Sequence, residues 1–168
     1  MNKFLDLINL HAAFGRALDH LRPLLLAGTR VWVSWQFLKS GWLKISDWGS
    51  TLELFTSEYH VPVLPPALAA VVGTFGELFF PLLLITGLFT RVGALGLFAV
   101  NLMAVISYWH VLGAEGFEAA LAQHVLWGYM LAVIATVGAG GISLDALFEK
   151  RSAARCRPRV TAGAMNAA

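Results

Sequence analysis

Four apolar stretches, about Pro23–Leu43, Ala67–Phe89, Val92–Trp109 and Ala120–Gly141, limit the folds open to this chain more than any other feature. Each is close to the roughly 20 residues that a helix needs to cross a ~30 Å hydrocarbon core. Buried helices of a soluble protein can be as long, but this chain has little charge to cover a soluble surface. Of its 168 residues only 13% are charged and 58% are hydrophobic, against about 25% charged in a typical soluble domain. The same balance excludes a disordered chain, which needs low hydrophobicity and high net charge. Lipid offers the backbone no hydrogen-bond partners, so the spans must be helical. The expected fold is therefore all-α: an integral membrane four-helix bundle over residues 23–148.

Residues 1–22 differ from the spans. Phe4, Leu7, Ile8, Phe14 and Leu18 recur near helical spacing among Lys3, Asp6, Arg16 and Asp19, which predicts an amphipathic helix on the membrane surface. No secretory signal pattern opens the chain. The loop after the first span holds Asp47-Trp48-Gly49-Ser50-Thr51-Leu52-Glu53. Ser50 as cap with Glu53 three residues on predicts a short interfacial helix there. Ser143 caps another short helix after the fourth span, through about Phe148. Residues 149–168 read as a basic, disordered cytoplasmic tail.

The distribution of Lys and Arg predicts the topology. Lys3, Arg16, Arg22 and Arg91 fall on one side, with Lys150, Arg151, Arg155, Arg157 and Arg159 in the tail. The other side has Lys44 in the first loop and no basic residue from Val111 to Ala119. Both termini are thus expected in the cytoplasm of a bacterium, with a multi-pass chain in its inner membrane. Trp42, Trp48, Tyr59, Tyr108 and Trp109 form an aromatic belt on the outer side. The bilayer is the first expected partner. No basic stripe on a folded face points to nucleic acid, and the single cysteine, Cys156, makes no disulfide or redox pair within the chain.

Polar residues inside apolar spans are costly and usually face the bundle interior. Arg30, Lys39, Glu77, Asn101 and His124 are the candidates. At ~1.5 Å per residue, Arg30 lies ~10 Å from the cytoplasmic side, Asn101 ~14 Å, Glu77 ~17 Å, and Lys39 and His124 ~24 Å. Arg30, Ser34, Phe37, Gly41 and Lys44 share one face of the first span, with Lys39 nearly opposite. Glu77 precedes Pro81 by four residues, so its carbonyl loses a helical partner. It is either a proton-accepting or ligand-orienting group, or half of a structural ion pair with Arg30. Asn101 suits an interhelical hydrogen bond. His124 is a proton relay or a packing residue. His60 and His110 lie in outer loops, and no His pair at ligand spacing predicts a metal or haem site.

The chain resembles the DoxX family of small four-helix bacterial membrane proteins. The resemblance rests on Gly41-Trp42-Leu43-Lys44, on Gly73-Thr74-Phe75-Gly76-Glu77-Leu78 and on Gly87-Leu88-Phe89-Thr90-Arg91. It also rests on His124 and on Gly141-Ile142-Ser143-Leu144-Asp145, and covers about residues 23–148. It implies a link to redox chemistry, since relatives include the DoxD-like subunit of thiosulfate:quinone oxidoreductase and proteins associated with oxidative-stress and thiol enzymes. The stretch from Asp47 to Phe55 is similar to a subgroup associated with enzymes that modify metal-handling peptides. No catalytic dithiol is present here.

The resulting expectation is a quinone-linked redox subunit acting with a partner protein and open to homo-oligomerisation. Glu77 and His124 would exchange protons, and Trp42, Lys44 and Asn101 would bind the ligand. The alternative is a small-substrate transporter or a membrane scaffold tied to metal or peptide-modification pathways, with no catalysis of its own.

Overall fold

A computed structural model describes residues 2–156. Its first helix, α1 (Asn2–Ser46), is 45 residues long, or ~67 Å at 1.5 Å per residue. The expected break between a surface segment and a first span is absent. Pro23 lies inside α1, where its ring removes one helical hydrogen bond without ending the helix. Burial on α1 begins at Arg30 and takes in Val33, Ser34, Phe37 and Gly41. That is the face expected from the 100° periodicity, and Lys39 is exposed on the other side.

Asp47 ends α1 and caps α2 (Trp48–Ser57), accepting from the Ser50 N–H at 3.1 Å and the Ser50 hydroxyl at 2.6 Å. The cap is therefore Asp47, not Ser50: the carboxylate fills the role expected of the hydroxyl. Phe55 of α2 buries against Ala69 and Ala70, with Leu52, Tyr59 and Val61 around them. This lays α2 across one end of the bundle, here called the α2 end.

Pro66 occupies the first turn of α3 (Pro66–Thr86), where a missing N–H costs nothing. α4 (Thr90–Ser107), the four-residue α5 (Trp109–Leu112), α6 (Glu118–Val137) and α7 (Leu144–Cys156) follow. The expected disordered tail is helical through Cys156, and its remainder lies outside the described residues. Four long helices close a ring in which α1 packs on α3, α3 on α4, α4 on α6 and α6 on α1. Among the described residues α3, α4 and α6 are long and apolar enough to cross a membrane. α1 is the fourth member of the bundle, but Arg30, Gln36, Lys39 and Lys44 lower the apolar character of its sequence.

The distribution of side chains is that of a protein in lipid. The core is thin: Val33, Phe37, Leu84, Ala94, Leu97, Leu131 and Ile134. Large apolar residues such as Phe75, Leu82, Leu95, Leu102, Val125 and Tyr129 face outward, a surface far more apolar than a soluble monomer tolerates.

The opposite end is closed by the α3–α4 turn, where two of the sequence motifs meet. Gly87 adopts φ 68°, and the Leu88 N–H reaches back to the Leu83 carbonyl at 3.0 Å, a left-handed helix end that favours glycine. Space requires glycine as well, because a Cβ there would lie 2.5 Å from Arg30 Nη1 and from Ser143 Cβ. Asp145 accepts from the N–H groups of Phe89 (2.8 Å) and Thr90 (2.9 Å), capping α4. Its own N–H donates to the Gly87 carbonyl at 2.9 Å. Burial raises the Asp145 carboxyl's proton affinity, but the Thr90 and Phe89 N–H groups and then Arg30 outweigh it and hold it below the usual aspartate range. Ser143 Oγ accepts from the Ala146 N–H at 3.1 Å, as expected of a cap.

Candidate functional site

Lys44 and Glu77 form the main polar feature of the bundle interior. Lys44 lies in the last turn of α1, one helical face with Phe37 and Gly41. Its Nζ donates to Glu77 Oε1 at 2.9 Å, to Oε2 at 2.8 Å and to Ser40 Oγ at 2.7 Å. Both partners are about nine-tenths buried, with side chains 11% and 10% exposed. The close approach of α1 and α3 depends on Gly41, whose added Cβ would lie 2.9 Å from Leu78 and 3.1 Å from Glu77 Cβ.

The partner of Glu77 is thus Lys44 and not Arg30. Residue Gly41 is level with Glu77, and 11 residues separate Arg30 from Gly41, about 16 Å along the helix. The expected depths failed because they counted α1 from Pro23, whereas packing sets the register. Arg30 sits level with the α3–α4 turn. It is 2% exposed, donates through Nη2 to the Ile142 carbonyl, and lies beside Asp145. Its role is to tie α1 to the segment between α6 and α7.

The α2 segment covers the pair. Thr51 Oγ1 donates to the Lys44 carbonyl at 2.9 Å. Tyr59, partly buried after α2, packs edge-on against Phe55 at 4.9 Å. Burial, then the Glu77 charge, pushes the Tyr59 phenol above its usual range. Ser40, Thr51 and Tyr59 were not singled out as site residues from sequence. Ser40 is legible in retrospect as the i−4 neighbour of Lys44.

Asn101 and His124 form a second polar unit between α4 and α6. Asn101, 5% exposed, donates from Nδ2 to the His124 carbonyl at 3.0 Å. Its Oδ1 lies 2.9 Å from His124 Nδ1. The carbonyl can only accept, so the Asn101 amide has one orientation. Its oxygen then faces Nδ1, which must carry a hydrogen. The neutral ring keeps an unprotonated Nε2, which has no hydrogen-bond partner among the described residues. Trp127 packs edge-on against His124 at 5.0 Å and against Phe37 at 5.5 Å. These aromatic rings connect the His124 unit to the α1 face that carries Lys44.

Trp42 is not brought to this site. It is 67% exposed on the outside of α1, because the helix turns it away from the Gly41–Lys44 face. An open groove of about 490 Å³ lies between α5 and the start of α6, lined by Trp109, Leu112, Leu121 and Val125 among others. None of the four paired polar side chains lines it. No group of three or more metal-ligating His, Cys, Asp or Glu side chains occurs among the described residues.

A family model described as DoxX matches residues 25–110, which includes α2, α3, α4 and the Lys44–Glu77 pair. Comparison with curated proteins and with solved structures returned no match.

Proposed function

The chain belongs to the DoxX family, and on that premise we propose that it is a quinone-linked redox subunit of the bacterial inner membrane, serving a partner protein that supplies or takes electrons. The observation that carries this reading is a free base at the same end of the bundle as a buried ion pair. His124 Nε2 is left uncommitted by Asn101, at the same end of the bundle as Lys44 and Glu77. A quinone, when bound, supplies reversible two-electron, two-proton chemistry.

The residue types suit such a head group. His124 Nε2 accepts or returns a proton at a ring oxygen, and Asn101 holds the tautomer that leaves this nitrogen available. Lys44 would hold the head group by charge and hydrogen bonding, with Glu77 as its counter-charge. Trp127, packed on both His124 and Phe37, supplies flat apolar surface beside the His124 unit. α2 excludes water from the Lys44–Glu77 pair, which strengthens its field. Both termini lie in the cytoplasm in this reading, and the α2 end faces the periplasm.

Transport is the weaker reading. A carrier needs polar groups through both halves of the bundle. Between the Lys44–Glu77 layer and Arg30 the buried residues are mostly apolar, Val33, Phe37, Leu84, Leu97, Leu131 and Ile134, with Ser34 the polar exception on α1. The test is a titration of a short-chain ubiquinone analogue against purified protein in mild detergent. Wild type should bind one equivalent, and Glu77→Gln and His124→Ala should each weaken binding at least tenfold. Equal binding by all three proteins, or none by wild type, refutes the assignment.

A further inference from the structure

His60 and His110 come from segments 50 residues apart and meet outside the bundle at the α2 end. We propose that they form a two-histidine site for a tetrahedral transition-metal ion of the Zn²⁺ class. Nothing in the quinone reading requires it. His60 follows α2 and is fixed by its own N–H, which donates to the Ser107 carbonyl at 2.9 Å. His110 lies on α5, the short turn that follows α4. The two Nδ1 atoms face each other at 3.3 Å.

That distance matches a bite. Two imidazole nitrogens each 2.0–2.1 Å from a tetrahedral ion lie about 3.3–3.4 Å apart. A square-planar ion with similar bond lengths would bring neighbouring nitrogens to about 2.8–3.0 Å. The ring centroids are 4.6 Å apart and the planes tilted by 55°, and both rings are exposed and free to rotate their lone pairs toward one ion. With the metal on Nδ1, each ring carries its proton on Nε2, toward solvent.

Tyr108 packs edge-on against His110 at 5.4 Å and its hydroxyl donates to Glu58 Oε2 at 3.3 Å. This places a carboxylate at the far end of the ring that positions His110. Water completes the shell on the exposed side. The ion would bridge the segment after α2 to the α4–α5 junction and so pin the cover of the Lys44–Glu77 pair.

The experiment uses untagged protein stripped with chelator. Co²⁺ is the spectroscopic probe, and Zn²⁺ displaces it. Wild type should take up one equivalent of Co²⁺ with the intense visible absorption of a tetrahedral site. His60→Ala and His110→Ala should each weaken uptake at least tenfold, while His20→Ala on α1 leaves it unchanged. Zn²⁺ should raise the thermal midpoint of wild type and not of the two variants, a readout that also shows the variants to be folded. A pair that only shares a proton takes up no Co²⁺, and that result overturns the proposal. So does an octahedral spectrum, or uptake equal in wild type and both variants.

Discussion

Replacing Lys44 by Met should destabilise the bundle more than replacing Lys44 and Glu77 together. The pair is 2.8 Å apart and about nine-tenths buried. At an effective dielectric of about 20, two unit charges at that separation attract by ~6 kcal/mol. Desolvation of both groups takes back much of this, so the intact pair is close to neutral for stability. Removing one partner leaves the other buried and uncompensated, at about 3–5 kcal/mol. Lys44→Met and Glu77→Leu should each fall in that range, and the double variant should lie within about 1–2 kcal/mol of wild type. The assay is thermal and denaturant unfolding in detergent, followed by tryptophan fluorescence. The two single losses should be strongly non-additive. A double variant whose loss equals the sum of the single losses would refute the argument, because it would mean that the two side chains act independently.

Three further outcomes follow from the same geometry. Gly87→Ala should cost at least about 1–2 kcal/mol from the left-handed backbone alone, and more from its contact with Arg30 and Ser143; a wild-type unfolding midpoint would contradict the crowding at the α3–α4 turn. Asp145, held below the usual aspartate range, stabilises the fold above about pH 4 and loses this contribution as pH falls through its lowered value. The gap in unfolding midpoint between wild type and Asp145→Asn should therefore be flat from pH 5 to 8 and shrink below about pH 4; a gap that grows on acidification would reverse the sign of the argument. Nitrogen-15 spectra of His124 at neutral pH should show a protonated Nδ1 and an unprotonated Nε2, and Asn101→Leu should abolish that preference at a stability cost of about 1–3 kcal/mol. The opposite tautomer in wild type would remove the free base from the proposed site.

Much of the architecture was legible because lipid leaves few choices. The apolar stretches marked the four bundle helices, and angular periodicity found the buried face from Arg30 to Gly41. Asn101 bonds between α4 and α6, as an amide within a span suggests. Pro23 misled in both directions. Read as a helix start, it cut α1 short and shifted the depth scale, which set Arg30 against Glu77 and left Lys44 in a loop. Proline inside a helix removes one bond, and here the helix continues through it. Trp42 was assigned to the ligand by its motif, and the ~100° turn from Gly41 takes it outward. The His60–His110 contact is invisible at the level of local spacing, because the fold of the two outer segments creates it.

The central claim is that the polar groups at the α2 end hold a quinone head group. A photoreactive quinone, cross-linked to purified protein and mapped by mass spectrometry, tests it most directly. The account predicts labelling concentrated on the peptides around His124–Trp127 and Ser40–Lys44, competed by unlabelled quinone and lost in Glu77→Gln. Labelling spread over the outward-facing residues of α3, α4 and α6, equal in wild type and variant, would contradict it.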